Sequence, residues 1–361
     1  MAAPSSTIGA RVAACARASP PIALAGGGGA STLLSHLAAE HSHGRGLLGF
    51  FDNAGARRSL ARVCAEFRRE VAGFRWPVVE LRGHTDEAMD VCALADGRVV
   101  SVSQDMTLRA WDITTGACEQ TLSIAAHTRM VIRMCALADG CVVTASYDST
   151  LRVWNLSTGE CERVLRGHTL AVYDVATLAD GRVVSASGDA TLRVWNMSTG
   201  ACDIVLAGQT SSVYCICVLA DGRIVSGSYD DTLRVWNVVT GACERVLHGH
   251  TAYVLCVCAL PAGRVVSGSN DNTLRLWNIV AGICERVLQG HTFTGRGVCA
   301  LADCRIVSAS HDETCRVWNT TTGTCERVLE GHAANVYSIC ALADGRVVSA
   351  SVDKTLRVWR V

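Results

Sequence analysis

The chain predicts an all-β fold, a seven-bladed β-propeller, and three observations carry that expectation. Seven tryptophans, Trp111, Trp154, Trp195, Trp236, Trp277, Trp318 and Trp359, each lie 27 residues after a fixed position. That position is histidine in six cases, His84, His127, His168, His250, His291 and His332, and Gln209 in the fourth repeat. The repeat interval is 41 residues from the second pair on and 43 at the first step, a period typical of closed arrays of supersecondary units. Within each repeat, four short apolar or β-branched runs alternate with turn residues, the pattern of short antiparallel strands.

Composition narrows the function classes. The 361 residues carry 33 basic and 33 acidic side chains. With no net charge, no overall field favours nucleic acid or an anionic membrane. No apolar run approaches the ~18 residues of a membrane-spanning helix. Nineteen cysteines suggest a disulfide framework, but twelve fall in two repeat columns. Cys118, Cys161, Cys202, Cys243, Cys284 and Cys325 follow the tryptophans, and Cys92, Cys135, Cys217, Cys258, Cys299 and Cys340 follow the histidine column. Copies one blade apart are expected to be too distant to bridge, so they read as small buried hydrophobes in a reducing compartment, cytoplasm or nucleus.

Residues 1–39 contain no acidic residue and are rich in Ala, Ser and Gly. That composition suits a disordered tail or a transit segment, which leaves organelle import open; Pro20 and Pro21 interrupt any amphipathic helix and favour the tail. His36, His41 and His43 in this Gly/Ser-rich stretch read as incidental, so no metal is expected. Residues 40–76 form a second segment. Here Leu60, Val63, Cys64, Phe67 and Val71 follow helical spacing after Ser59, a plausible N-cap.

The propeller is expected over 77–361. The repeat 168–207 predicts strands at Val172–Leu178, Val183–Ser187, Thr191–Trp195 and Cys202–Leu206. Asp180–Gly181 reads as a two-residue hairpin turn with both residues at positive φ. The last tryptophan is followed by only two residues, so the seventh repeat lacks a fourth strand. Val78–Arg82 matches the missing run and is expected to complete that blade, closing the ring and leaving only short edges.

The Gly-His start, an Asp six before each Trp, and Trp followed by Asp or Asn in all but the last repeat, where Arg360 follows, resemble the WD-repeat family over residues 78–361. The resemblance implies a Trp–Ser/Thr–His–Asp hydrogen-bond relay in each blade. The matching residues are Trp111, Ser101, His84 and Asp105 in blade 1, and Trp154, Thr144, His127 and Asp148 in blade 2. Blade 3 offers Trp195, Ser185, His168 and Asp189, with Ser187 as an alternative to Ser185. Blade 4 has Trp236, Ser226 and Asp230, but Gln209 stands for the histidine, so weaker pinning is expected. Blades 5 to 7 have Trp277, Ser267, His250 and Asp271; Trp318, Ser308, His291 and Asp312; and Trp359, Ser349, His332 and Asp353. A catalytic Ser-His-Asp triad is the competing reading. Six copies, each beside its own tryptophan, suit a strut instead, so neither enzyme activity nor a cofactor is expected. The arginines two before each tryptophan, uniform in all blades, read as scaffold.

Three columns differ most between repeats: three after the histidine, five after it, and one before the turn aspartate. In the family they open on one face, the top, around the channel mouth. All six tyrosines fall there: Tyr253 in the first column, Tyr173, Tyr214 and Tyr337 in the second, Tyr147 and Tyr229 in the third. Glu87, Met89, Met130, Arg296, His311 and Asn335 share these columns, and Arg129 lies beside them. Tyrosine offers rigid contact area with a polar tip, so these residues are the expected partner face for a protein or peptide. With only Arg129 and Arg296 as top arginines, support for a phosphorylated ligand is weak.

Within residues 47–76, Leu47, Leu48, Phe50 and Phe51, followed by Leu60, Val63 and Phe67, resemble an F-box. That family docks on the adaptor subunit of cullin–RING ubiquitin ligases. The resemblance implies a substrate receptor whose F-box-like segment holds the adaptor while the propeller holds a target. A general assembly scaffold is the alternative.

Overall fold

The computed structural model describes residues 78–361. The tail over 1–39, the helical segment over 40–76 and the F-box-like residues lie outside the described residues. Twenty-eight strands and no helix make up the described part, grouped into seven four-stranded antiparallel sheets. In blade 3 the strands are Val172–Thr177, Val183–Ser187, Thr191–Trp195 and Cys202–Ala207, close to the expected bounds.

The strand Val79–Arg82 pairs antiparallel with Thr355–Arg360, with Val79 opposite Val358, and becomes the outer strand of the last blade. The first strand of each blade packs against the first strands of its neighbours and so lines the central channel. The second strands are buried on both faces, as in Val183–Ser187. The apolar core lies between blades. Val143, Leu151 and Leu165 of blade 2 pack on Val172, Val183 and Trp195 of blade 3. Leu81 and Leu356 of blade 7 pack on Val99 and Trp111 of blade 1 in the same way.

One turn expectation changes. Leu178 N–H bonds to Arg182 C=O at 2.8 Å, and Gly181 N–H bonds to Leu178 C=O at 3.0 Å. The hairpin therefore has a three-residue loop in which Gly181 alone takes positive φ, at 86°. That is a turn relieved by a glycine bulge, and Asp180 instead caps the Arg182 backbone N–H at 3.0 Å. The second turn is the strained one. In every blade the residue after the relay aspartate takes positive φ and is not glycine, as at Ala190 (62°) and Lys354 (71°).

The cysteine expectation also needs correction. All described cysteines are free, but the column after the tryptophans is not buried: Cys118 and Cys243 are exposed and the other four partly so. Their sulfurs accept long contacts from the neighbouring arginines, such as Arg193 to Cys202 at 3.8 Å. The two extra residues between blades 1 and 2 bring Ile124 fully into the core.

Candidate protein-binding face

The relays hold the top loops in place. Each indole N–H donates to the Ser or Thr hydroxyl at 2.8–2.9 Å in blades 1–3 and 5–7. The hydroxyl lies 2.7–2.8 Å from His Nε2. His Nδ1 lies 2.7–2.9 Å from the aspartate. Indole can only donate, so the hydroxyl proton goes to Nε2 and the imidazole proton sits on Nδ1, facing the carboxylate. Burial holds His84, His127 and His168 below the usual histidine range, which suits this neutral form. Burial acts to raise Asp105 and Asp189, but hydrogen bonds from a threonine, the histidine and a backbone N–H outweigh it and bring both to about 2. In blade 3 Ser185 carries the relay, while Ser187 donates to Leu170 C=O at 3.1 Å.

Blade 4, expected to be pinned more weakly, is pinned by a different route. Gln209 Nε2 donates to Ser226 Oγ at 2.5 Å, and Trp236 donates to the same oxygen at 2.9 Å. Arg234 then bonds both Gln209 Oε1 and Asp230, the latter at 2.8 Å. An amide is shorter than imidazole and does not reach the carboxylate. Asp230 Oδ2 accepts instead from Thr210 Oγ1 and from the column arginine, which turns inward.

Above the relays, the backbone explains why three columns share one face. Every channel-lining strand carries a β-bulge that skips one residue in the pairing register: Met89, Ile132, Tyr173, Tyr214, Leu255, Arg296 and Tyr337. These are the residues five after the histidine column. A bulge bends its strand and re-aims the side chain it carries. The other two columns face each other through a backbone hydrogen bond, as Tyr147 N–H to Met130 C=O at 3.0 Å and Asn270 N–H to Tyr253 C=O at 2.9 Å.

Five tyrosines form one aromatic arc over blades 2 to 5. Tyr147 meets Tyr173 edge-on with centroids 5.7 Å apart, and Tyr173 meets Tyr214 at 4.8 Å. Tyr214 lies 6.1 Å from Tyr229 and 6.3 Å from Tyr253, which stack on each other at 4.5 Å. Tyr337 lies apart, 5.3 Å from His311 and 5.3 Å below the Arg296 guanidinium. None of the six phenol oxygens hydrogen-bonds to a described residue, and none is sealed from solvent. Glu87 accepts from Gln104 at 2.8 Å, Asn335 is half-buried and Arg129 is exposed. Met130 is half-buried against the core. Met89 is a correction: at 6% exposure it belongs to the core beneath the face, its sulfur accepting from Gln104.

A fourth column escaped the sequence reading. In six blades the residue after the bulge lines the channel, where Asp90, Arg133, Asp174, Cys215, Cys256 and Ser338 border a cavity of about 180 Å³. Asp90 accepts from Ser338 Oγ at 2.6 Å and from Met134 N–H at 2.8 Å, joining blades 7, 1 and 2. Arg133 bonds Asp90 at 3.4 Å and reaches across to the Arg296 carbonyl at 3.2 Å. Burial raises Asp174 to about 6, and raises Asp90 as well. Burial also pushes the Cys135 and Cys256 thiols to about 12, so they are inert. The signal was available, since this column varies as much as the other three. Among the described residues, no group of three His, Cys, Asp or Glu could hold a metal ion.

A ring of blades pinned by repeated struts, with its variable side chains gathered at one mouth, defines a repeat-built interaction platform. The pattern described as WD domain, G-beta repeat matches residues 75–112, 116–155, 159–196, 200–237, 241–278, 282–319 and 323–360, and the chain belongs to that family. WD-repeat propellers are generally non-catalytic modules that bind proteins or peptides. The fold resembles the crystal structure of the WD40 beta propeller domain of Doa1, with a TM-score of 0.69 and 25% sequence identity. That match covers 77% of this chain and 94% of the other. No curated protein matches the chain.

Proposed function

We propose that the chain recognises a protein or peptide on its tyrosine-bearing face and acts as the substrate receptor of an F-box type cullin–RING ubiquitin ligase. One observation carries the recognition reading. All six tyrosines of the propeller cluster at one end, with no hydroxyl paired to a described residue, whereas strands elsewhere use Val, Leu and Cys. Aromatic rings already packed together lose little entropy on binding, and their polar tips remain to be satisfied. The ligase reading rests on the F-box-like residues Leu47, Leu48, Phe50, Phe51, Leu60, Val63 and Phe67. A general assembly scaffold unrelated to ubiquitin is the competing role.

Co-purification of the full chain with a cullin–RING adaptor subunit separates the two. A stoichiometric complex that is lost in Leu48→Asp with Phe51→Asp supports the receptor. A folded chain without any complex leaves the scaffold. Tyr214→Ala with Tyr337→Ala should abolish partner capture in either role, and unaltered capture would overturn the recognition face.

A further inference from the structure

Arg296 departs from its counterparts in two ways. It is the only charged residue among the seven bulge positions, the others being methionine, isoleucine, leucine or tyrosine. Its flanks are Gly295 and Gly297, where most repeats have a β-branched residue and a polar or sulfur side chain. Neither glycine is at positive φ. Gly297 is required for closeness instead: a Cβ there would lie 3.1 Å from Ser338 Cα and 3.2 Å from the Ile339 nitrogen. The strand carrying Arg296 is thus drawn against its neighbour at the channel mouth.

The guanidinium is left without an anion. Among the described residues it makes no hydrogen bond or ion pair and only covers the Tyr337 ring. The other mouth arginine, Arg133, already holds Asp90. His311 Nε2 beside it is buried and unpaired. Around the same mouth stand the tyrosine hydroxyls, able to donate and bonded to no described residue. The channel mouth therefore has surplus donors and one uncompensated positive charge, while Arg129, also without an ion pair among the described residues, stands out on an exposed loop.

We propose that this mouth is a socket for a single carboxylate, the side chain of a glutamate or aspartate in a peptide that lies over the tyrosine arc. The proposal rests on the recognition reading above and names the chemistry of the ligand. A planar guanidinium binds a carboxylate through two parallel hydrogen bonds, and one unpaired charge matches one negative charge. A phosphoryl group carries nearly twice that charge and suits several converging arginines, whereas Arg129 stands on an exposed loop and Arg133 is taken.

The test is selection of a random peptide display library on the full chain, followed by resynthesis of the selected peptide. Glutamate or aspartate should be enriched at one position among apolar ones. Arg296→Gln keeps the backbone carbonyl that Arg133 uses, and should weaken the peptide about 10- to 100-fold. Replacing the acid by glutamine in the peptide should weaken it equally, the two changes together costing little more than one. Arg296→Lys should recover part of the loss. Selected peptides that lack an acid, or that bind Arg296→Gln equally well, overturn the socket. If they are nonetheless lost in Tyr214→Ala with Tyr337→Ala, the recognition face stands. Tighter binding of a phosphoserine version overturns the carboxylate in favour of a phosphoryl ligand. No enrichment on a chain shown folded by its melting transition overturns both readings.

Discussion

Blade 4 supplies the design of a substitution in blade 3. His168→Ala removes bonds of 2.7 Å to Ser185 and 2.8 Å to Asp189 and leaves an imidazole-sized gap. Two buried partners lose a hydrogen bond, one of them charged, and the gap adds a packing loss, for a total of about 3–4 kcal/mol. His168→Gln should cost only about 1 kcal/mol, because the amide can bond Ser185 and Arg193 can turn to Asp189 as Arg234 turns to Asp230. Arg193 now makes only a long contact to Cys202, so Arg193→Ala alone should be mild. Combined with His168→Gln it should become costly, with a coupling of about 1–2 kcal/mol. Urea unfolding followed by tryptophan fluorescence reads each variant directly, since every relay contains an indole. If His168→Gln is as damaging as His168→Ala, or if the coupling is absent, arginine rescue is wrong.

Further outcomes follow from the same contacts. Acid should unfold the ring steeply: Asp105 and Asp189 sit at about 2 against an ordinary 3.8, so the stability they contribute is complete above about 4 and lost as pH falls toward 2, as a pH series of urea midpoints would show. Asp189→Asn should flatten that dependence. Gly297→Ala should destabilise by about 1–3 kcal/mol, because backbone atoms of Ser338 and Ile339 must move. Gly295→Ala meets only ordinary contact at 3.4 Å and should be nearly neutral in the same denaturation assay. Arg133→Met strips Asp90 of its cation and should cost about 2–4 kcal/mol at neutral pH. The cost should shrink as the pH falls, because burial raises Asp90 above the ordinary carboxylate range and brings Asp174 to about 6, so both take up protons before exposed carboxylates do.

Repetition made the scaffold legible. Seven copies of Trp, Asp and the intervening turns set blade number and strand bounds to within a residue or so, and the match of Val78–Arg82 to a fourth strand pointed to the closure that Val79–Arg82 makes. Reading differences between copies located the tyrosine face, because a bulge puts one whole column on it. The same reasoning failed where a residue's role depends on its neighbour. Arg234 has the same letter as six scaffold arginines and a different job, decided by the missing imidazole of Gln209. Met89 shares its column with tyrosines but is covered by the residues around it. Asp90, Arg133 and Asp174 were passed over because strand alternation alone puts them on the opposite side from the bulge residues, with no hint that this side is a channel.

The pairing of Val79 with Val358 fixes an order of assembly. During synthesis the outermost strand of the last blade is made before any complete blade, and its partner Thr355–Arg360 emerges only after the strands of the other six blades. Six blades can form from neighbours in the chain, each needing only local closure. The seventh must wait while one edge strand stays unpaired, and its closure spans nearly the whole array. Through that interval the open ring exposes an edge that a second copy's Val79–Arg82 could fill, joining two rings by strand exchange. The chance of such pairing rises with concentration during refolding and falls once the ring has shut.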